Sequence, residues 1–360
     1  LAGHYSVCAT QGNLNNELGV PLTVSRLSSD HSAAVIEMGA AQRGDIDYLT
    51  TIAKPAISVL TNVNEAHVGR FGNLQTTAKT KGEIFNSLPD GGIAVLNLDD
   101  AYAEMWQQDI AALQQQVSIV SFSLYDSSAS VFVDEIQASE IGTECQVMLN
   151  LPERKETFRT SLPLLGIHNV ANAAAAIAVA VALDVPATSI NEALSRVTVE
   201  AGRLQAKPAQ NEILVIDDSY NANPQAMLAA AAVLHDVAKG RDATSVMVLG
   251  DMGELGELAA EKHVEVGCRL AEQGIDTLFA VGKYADQYAK GFEQAAAKPM
   301  AEQNARRGLS RVFASKADLA AALLQPGFRK AVVLVKGSRF AAMDEVVNLL
   351  SEHNMSRQEV

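Results

Sequence analysis

The run Ile213-Leu-Val-Ile-Asp217-Asp218-Ser219-Tyr220-Asn221-Ala222-Asn223-Pro224 concentrates more chemistry than any other part of the sequence. An apolar stretch the length of a buried strand stops at two carboxylates, a hydroxyl, a phenol and two carboxamides, and an alanine-rich helical pattern follows. Ligands of open α/β sheets sit beyond the carboxyl ends of strands. The run therefore reads as a ligand-facing loop, or else as a polar helix cap, because Asn before Pro is also a turn signal. Ala33-Ala-Val-Ile-Glu37 repeats the arrangement with one carboxylate, and Met38-Gly39 follows. Glu37 suits Mg2+, a hard ion that takes oxygen ligands; the plain alternative is a solvated strand end. His67, closing Thr61-Asn-Val-Asn-Glu-Ala-His67, is a second metal-ligand candidate or a structural imidazole.

Positive charge enters at two places. Lys79 and Lys81, in Ala78-Lys-Thr-Lys-Gly-Glu-Ile-Phe85, are expected to begin a helix. Cations oppose the helix dipole there, so the pair calls for a phosphate ligand or a carbamate formed on one amine, unless it is a solvated basic turn. Val332-Val-Leu-Val-Lys336-Gly-Ser338-Arg339 ends another strand in basic and hydroxyl groups. With the amides of a helix start these make an anion site; the alternative is an ordinary Ser cap. The loop Gly12-Asn-Leu-Asn15-Asn16-Glu-Leu-Gly19 offers carboxamides that donate and accept together, which suits phosphate or sugar hydroxyls. Gly250-Asp-Met-Gly-Glu-Leu-Gly256 lacks the G-x-G-x-x-G spacing of a dinucleotide loop and reads as a tight turn. The phosphate loop G-x-x-x-x-G-K-[ST] is missing, since Lys283 is followed by Tyr284.

Regular elements must carry these groups. Apolar strands Ala33–Glu37, Ala56–Thr61 and Gly92–Leu98 alternate with helical stretches, which predicts a largely parallel sheet. Between Val117 and Leu164 the pattern turns to period two, predicting antiparallel strands in a flap or side sheet. Helices are expected over Asn169–Ala182 and Pro186–Val197, and the composition changes at Ala201-Gly-Arg203. Strands Ile213–Asp217, Ser245–Leu249, Thr277–Val281 and Ala331–Val335 then each lead into a helix, which predicts a second doubly wound domain. The expected domains are 1–203 and 204–360. A formal charge of −14 works against nucleic-acid binding, and no apolar run reaches the ~20 residues of a membrane span. Cys8, Cys145 and Cys268 are few and widely separated, as befits a reducing cytoplasm.

Taken in order, these segments resemble the Mur ligases of peptidoglycan synthesis. Gly12–Pro21, Val35–Gly39, Ala78–Phe85, His168-Asn-Val-Ala-Asn172, Asp217–Pro224, Gly250–Gly256 and Val335–Arg339 carry the likeness, a collinear set across nearly the whole chain. The resemblance implies an α/β enzyme with a central ATPase domain, mostly parallel sheet plus a small antiparallel sheet, followed by a Rossmann-like domain. In the family an N-terminal domain and the phosphate loop come first; with the sequence opening at Leu1, both are expected to be missing, and full activity with them. The family's Pro-Gly-Arg is Ala201-Gly-Arg203 here.

The implied reaction joins D-alanyl-D-alanine to UDP-N-acetylmuramoyl-tripeptide through an acyl phosphate made from ATP, with two Mg2+ ions and basic side chains meeting the developing charge. By position Glu37 resembles the ligand of the first Mg2+, and His67 and Lys81, the latter as a carbamate, resemble those of the second. Asn172 resembles the adenine contact and Arg203 with Asp217 the ribose and phosphate contacts, beside Tyr220, Asn221 and Asn223. Lys336, Ser338 and Arg339 resemble groups that meet the substrate peptide or its activated carboxylate, with Lys336 in a catalytic role; Asn15 and Asn16 are substrate-binding candidates. A cytoplasmic monomer that binds neither nucleic acid nor membrane is expected. The alternatives are a sister amide ligase, from another Mur branch or folylpolyglutamate synthetase-like, and an inactive nucleotide-binding fragment.

Overall fold

The computed structural model describes residues 1–63, 73–139, 141–297 and 308–351. The chain divides into two compact units: Leu1–Gln137, Glu144–Leu162 and Ile167–Val197 make one, and Ala138–Thr143, Pro163–Gly166 and Thr198–Val360 the other.

The first unit runs β1 (Val7–Ala9), α1 (Gly19–Ser25), β2 (Ala33–Val35), α2 (Asp45–Ala53), β3 (Ile57–Leu60), α3 (Leu74–Gly82), β4 (Ile93–Asn97), α4 (Ala103–Ala111) and β5 (Ser118–Ser123). Strands β6 (Val131–Ala138), β7 (Thr143–Leu151) and β8 (Arg154–Leu162) follow, then α5 (Ile167–Ala182) and α6 (Ala187–Ser195). β1 and β2 pair in parallel as their own small sheet. β3 to β8 form a six-stranded sheet in sequence order, parallel from β3 to β6. Asn150 N–H donates to the Ser130 carbonyl and Ser139 N–H to that of Gly142, so β7 returns antiparallel to β6.

The period-two strands thus extend the main sheet instead of lying beside it. β5 lies between β4 and β6, and the first residues of β6, Val131 and Phe132, pair with its end. In β4 the alternate residues Ala94 and Leu96 pack with Phe85, Leu88, Trp106 and Ile110. Val95, on the opposite face, is equally buried. Burial on both faces is why this strand reads as an unbroken apolar run.

The second unit runs β9 (Gln205–Pro208), β10 (Leu214–Asp218), α7 (Pro224–Gly240), β11 (Ser245–Leu249), α8 (Ala259–Glu272), β12 (Thr277–Val281), α9 (Ala285–Ala296), β13 (Leu309–Phe313), α10 (Lys316–Leu323), β14 (Val332–Lys336) and α11 (Asp344–Ser351). The sheet order is β13-β12-β11-β14-β10-β9, parallel except for β9. Strand alternation splits the core in two. Ile216, Met247, Leu278 and Leu334 face Met227, Leu234, Val266 and Phe292 of α7, α8 and α9. Val215, Val248, Phe279 and Val333 face Leu319, Leu323, Val346 and Leu350 of α10 and α11. This is the doubly wound arrangement expected of the strand-helix succession. The edge strands β9 and β13 were not foreseen: both carry polar residues and are partly exposed.

Helices α8 and α9 touch backbone to backbone. A Cβ on Gly291 would lie 2.0 Å from the Val264 carbonyl oxygen, and one on Gly267 2.1 Å from that of Tyr288. Gly291→Ala must push the helices apart, so the stability of this unit should fall by about 3 kcal/mol, the upper part of the usual cost of overpacking. Urea unfolding reads this as a lower midpoint; an unchanged midpoint would mean that the crossing yields without cost.

Candidate active site

The carboxyl ends of the first unit's parallel strands open into a cavity of about 630 Å³, lined by Asn15, Asn16, Glu37, Gly39, Asp45, Thr61, Asn62 and Lys81 among others. Glu37 lies just past β2. Its backbone N–H donates to Thr10 Oγ1 at 2.9 Å, and its Oε1 accepts from Asn15 Nδ2 at 2.8 Å. Gly39 N–H donates to the Asn15 carbonyl at 2.7 Å. Asn15 therefore clamps the segment that carries Glu37, while Glu37 Oε2 has no partner among the described residues. Asn16 turns its carboxamide oxygen to the start of α1, accepting from Gly19 N–H at 2.9 Å.

Lys81 enters from the other side, and here the sequence expectation needs correction. Asn73 caps α3 by accepting from Thr76 N–H at 2.8 Å, so the helix begins before the lysines and both stand in its last turn. The dipole favours cations there, and their placement alone asks for no ligand. What sets Lys81 apart is its surroundings. Nζ donates to the Asn62 carbonyl at 3.3 Å. Burial pushes its pKa below the ordinary lysine value, and the Asp100 carboxylate offsets part of this. Lys79 is exposed.

Three contacts fix α3. Trp106 Nε1–H donates to the Ala78 carbonyl at 3.0 Å; Gly82 lies so close to the indole that a Cβ would be 2.8 Å from Cδ1; and Glu83 accepts from Gly44 N–H at 3.0 Å, at the start of α2. His67 lies outside the described residues. Asn172 is exposed on α5, with its Nδ2 3.4 Å from Asn169 Oδ1.

In the second unit the strand-end groups divide into buried and open sets. Asp217 is buried, accepting from Lys207 Nζ at 3.0 Å and Ser219 Oγ at 2.6 Å. Asp218 accepts from Lys336 Nζ at 2.5 Å, and the same ammonium donates to the Asn221 carbonyl at 3.0 Å. Lys336 is only 4% exposed. Ser338 is buried too and donates to the Asp251 carbonyl at 2.6 Å. Asn223 Oδ1 caps α7, accepting from Ala226 N–H at 2.8 Å.

The side chains turned to solvent are Arg203, Tyr220, Asn221 and Arg339. The Arg203 guanidinium stacks over the Tyr220 ring at 4.4 Å, and Gly202, at φ +73, comes close enough for its carbonyl to accept from Tyr220 N–H at 3.1 Å. Sequence reasoning passed over Asp100, although Asn97-Leu-Asp99-Asp100 after β4 carries the same strand-end signal as Asp217-Asp218.

The Mur ligase middle domain matches residues 1–180, and the Mur ligase glutamate ligase domain matches residues 202–339. Over 347 residues the chain is 36% identical to the UDP-N-acetylmuramoyl-tripeptide--D-alanyl-D-alanine ligase of Escherichia coli K12, covering 96% of this chain and 71% of that protein. The chain belongs to the Mur ligase family. It is 30% identical over 357 residues to the ligase of the same description from Bacillus subtilis, covering 99% of this chain and 72% of that one. A crystal structure of MurF from Acinetobacter baumannii superposes with a TM-score of 0.82 at 32% identity, covering 98% of this chain and 72% of that chain.

The cavity can be tested against the Mg2+ that Mur ligases of this description imply. Among the described residues no three His, Cys, Asp or Glu side chains gather. Mg2+ does not need such a cage: it keeps several waters and takes one or two carboxylates plus substrate phosphates. Glu37, clamped on one oxygen and open on the other, fits that pattern.

A desolvated ammonium should titrate early. In a 13C-detected pH titration Lys81 is expected to lose its proton below the ordinary lysine value, and Asp100→Asn should lower its pKa further, because that carboxylate favours the charged form. The unfolded chain then holds the Lys81 proton over a pH range where the folded chain has released it. Stability should therefore rise with pH from the depressed pKa toward the ordinary one. Lys81 titrating at or above the ordinary lysine value would contradict the effect of burial.

Proposed function

We propose that this Mur ligase joins D-alanyl-D-alanine to UDP-N-acetylmuramoyl-tripeptide in the cytoplasm, using ATP. The observation that carries the reading is that a clamped Glu37 and a desolvated Lys81 open into one cavity, in a chain similar over 96% of its length to a ligase of that description.

The terminal carboxylate of the tripeptide takes the γ-phosphoryl group of ATP and ADP leaves. The amine of D-alanyl-D-alanine then attacks the acyl carbon, the tetrahedral intermediate expels phosphate, and the amine's extra proton passes to solvent. Both steps gather negative charge on oxygen, so fixed positive groups and hydrogen-bond donors stabilise them most. Bound Mg2+ supplies charge neutralisation at the phosphoryl oxygens, held by Glu37 and, in this proposal, by His67 and a carbamate on Lys81. Carbamate formation needs a neutral amine to attack CO2. Burial raises the neutral fraction of Lys81 at any given pH, which supports that assignment.

Asn172 is assigned to the adenine, and Arg203 with Tyr220 and Asn221 to the ribose and phosphates. Asn15 acts through Glu37, and Asn16 through the turn it caps. In the second unit Arg339 is the group assigned to substrate, and Asp217, Lys336, Ser338 and Asn223 act by holding the strand ends in place.

With ATP, Mg2+ and the UDP-tripeptide, the gene product should release ADP and form the pentapeptide nucleotide when D-alanyl-D-alanine is supplied, and not with single amino acids. Product from a single amino acid alone would make it a sister ligase. Lys81→Ala should reduce ligation by at least about 100-fold, the scale of losing one electrostatic group at the reacting centre, with partial recovery on adding bicarbonate or a short carboxylic acid. Undiminished turnover would remove the carbamate.

A further inference from the structure

The turn after β14 exposes Arg339 and Phe340 while its base is tightly held. Ser338 is 3% exposed, and its N–H and Oγ both donate to the Asp251 carbonyl, at 2.9 and 2.6 Å. Asp251, just past β11 and 8% exposed, aims its carboxylate elsewhere. Oδ2 accepts from Lys283 N–H and Oδ1 from Tyr284 N–H, each at 2.9 Å, at the start of α9. Gly282 permits this approach: at φ +127, a Cβ there would lie 2.8 Å from the carboxylate.

One residue thus joins the ends of β11, β12 and β14, with its carbonyl committed to one loop and its carboxylate to another. Its neighbours are held as firmly. Gly250 N–H donates to the Lys336 carbonyl at 2.9 Å, and Met252 N–H to His263 Nε2 at 3.0 Å. His263 Nδ1 lies 2.6 Å from the Ala259 carbonyl, so the buried ring is neutral with its proton on Nδ1.

We propose that Asp251 is a positioning residue for the ligation, setting the Ser338 turn and through it the place where Arg339 meets the carboxylate of the incoming dipeptide. The proposal rests on the ligase reading above. A guanidinium on a free turn must be ordered when substrate binds, and fixing the turn beforehand removes that cost from binding. A carboxamide cannot replace this carboxylate without turning an N–H donor toward one of the two amides.

The test is steady-state kinetics for D-alanyl-D-alanine with Asp251→Asn, Arg339→Ala and the double variant, together with amide hydrogen exchange at Ser338 and Tyr284. Asp251→Asn should accelerate exchange at both amides and raise KM about tenfold, equivalent to about 1.4 kcal/mol, with kcat nearly unchanged. The double variant should be no worse than Arg339→Ala, since Asp251 acts through that side chain. Ser338→Ala, which removes one of the two hydrogen bonds to the Asp251 carbonyl, should raise KM in the same sense and serves if Asp251→Asn fails to fold. Fully additive losses, or faster exchange at Ser338 with an unchanged KM, would overturn the assignment. Turnover of a single amino acid in place of the dipeptide would count against the ligase reading alone, and the same comparison would then be made with that amino acid.

Discussion

Parallel strands of one sheet all end at the same edge, and that constraint decides where this protein can do chemistry. Each strand delivers its following residues to its carboxyl end, so Glu37 after β2 of the small sheet and Asn62 after β3 of the main sheet line the cavity that Lys81 enters. In β4 the buried Ala94, Val95 and Leu96 leave no water on either face to solvate such groups. At the edge the penalty for partial burial falls on side chains that have something to meet. Glu37 meets Asn15, Asp100 meets the amides of Val63 and Tyr102, and Lys81 meets the Asn62 carbonyl, with its charged form disfavoured by burial.

The second unit uses the same edge for a different purpose. Lys336 and Asp218 are a buried pair, and removing one partner of such a pair typically costs about 3–5 kcal/mol, because the other charge stays behind unmatched. The exposed pair of Lys262 and Glu265 belongs to a class worth about 0–1 kcal/mol. The buried pair therefore governs geometry. Together with Lys207–Asp217 and the Ser338–Asp251 bonds it stitches β9, β10, β14 and β11 together. Arg203, Tyr220 and Arg339 project from that stitched edge. The residues richest in charge along the sequence thus divide into a buried frame and an exposed fringe.

Much of this was legible in the chain. Apolar runs followed at once by acidic or amide residues marked the ends of β2, β3 and β10, a run ending in basic and hydroxyl groups marked that of β14, and the dense alanines of Asn169–Ala182 marked a helix that the structure opens at Ile167. The small exposed strands β9 and β13 were not legible, because an edge strand buries too little to show a pattern. The direction of the dipole argument at Lys81 failed because Asn73, the true cap, lies outside the basic motif. Roles inside Asp217–Asn223 and Lys336–Arg339 were mixed because burial depends on partners far away in sequence. Lys336 and Asp218 are 118 residues apart, and no local spacing announces that they meet.

Whether Glu37 and Lys81 share one metal–nucleotide site is read by paramagnetic relaxation from Mn2+ with ATP, since Mn2+ takes the same hard oxygen ligands as Mg2+. Selective broadening of the Lys81 and Asn15 side-chain signals is expected when Mn2+ and ATP are added together, and its loss in Glu37→Gln. Broadening that leaves Lys81 untouched, or that persists unchanged in Glu37→Gln, would contradict a shared site.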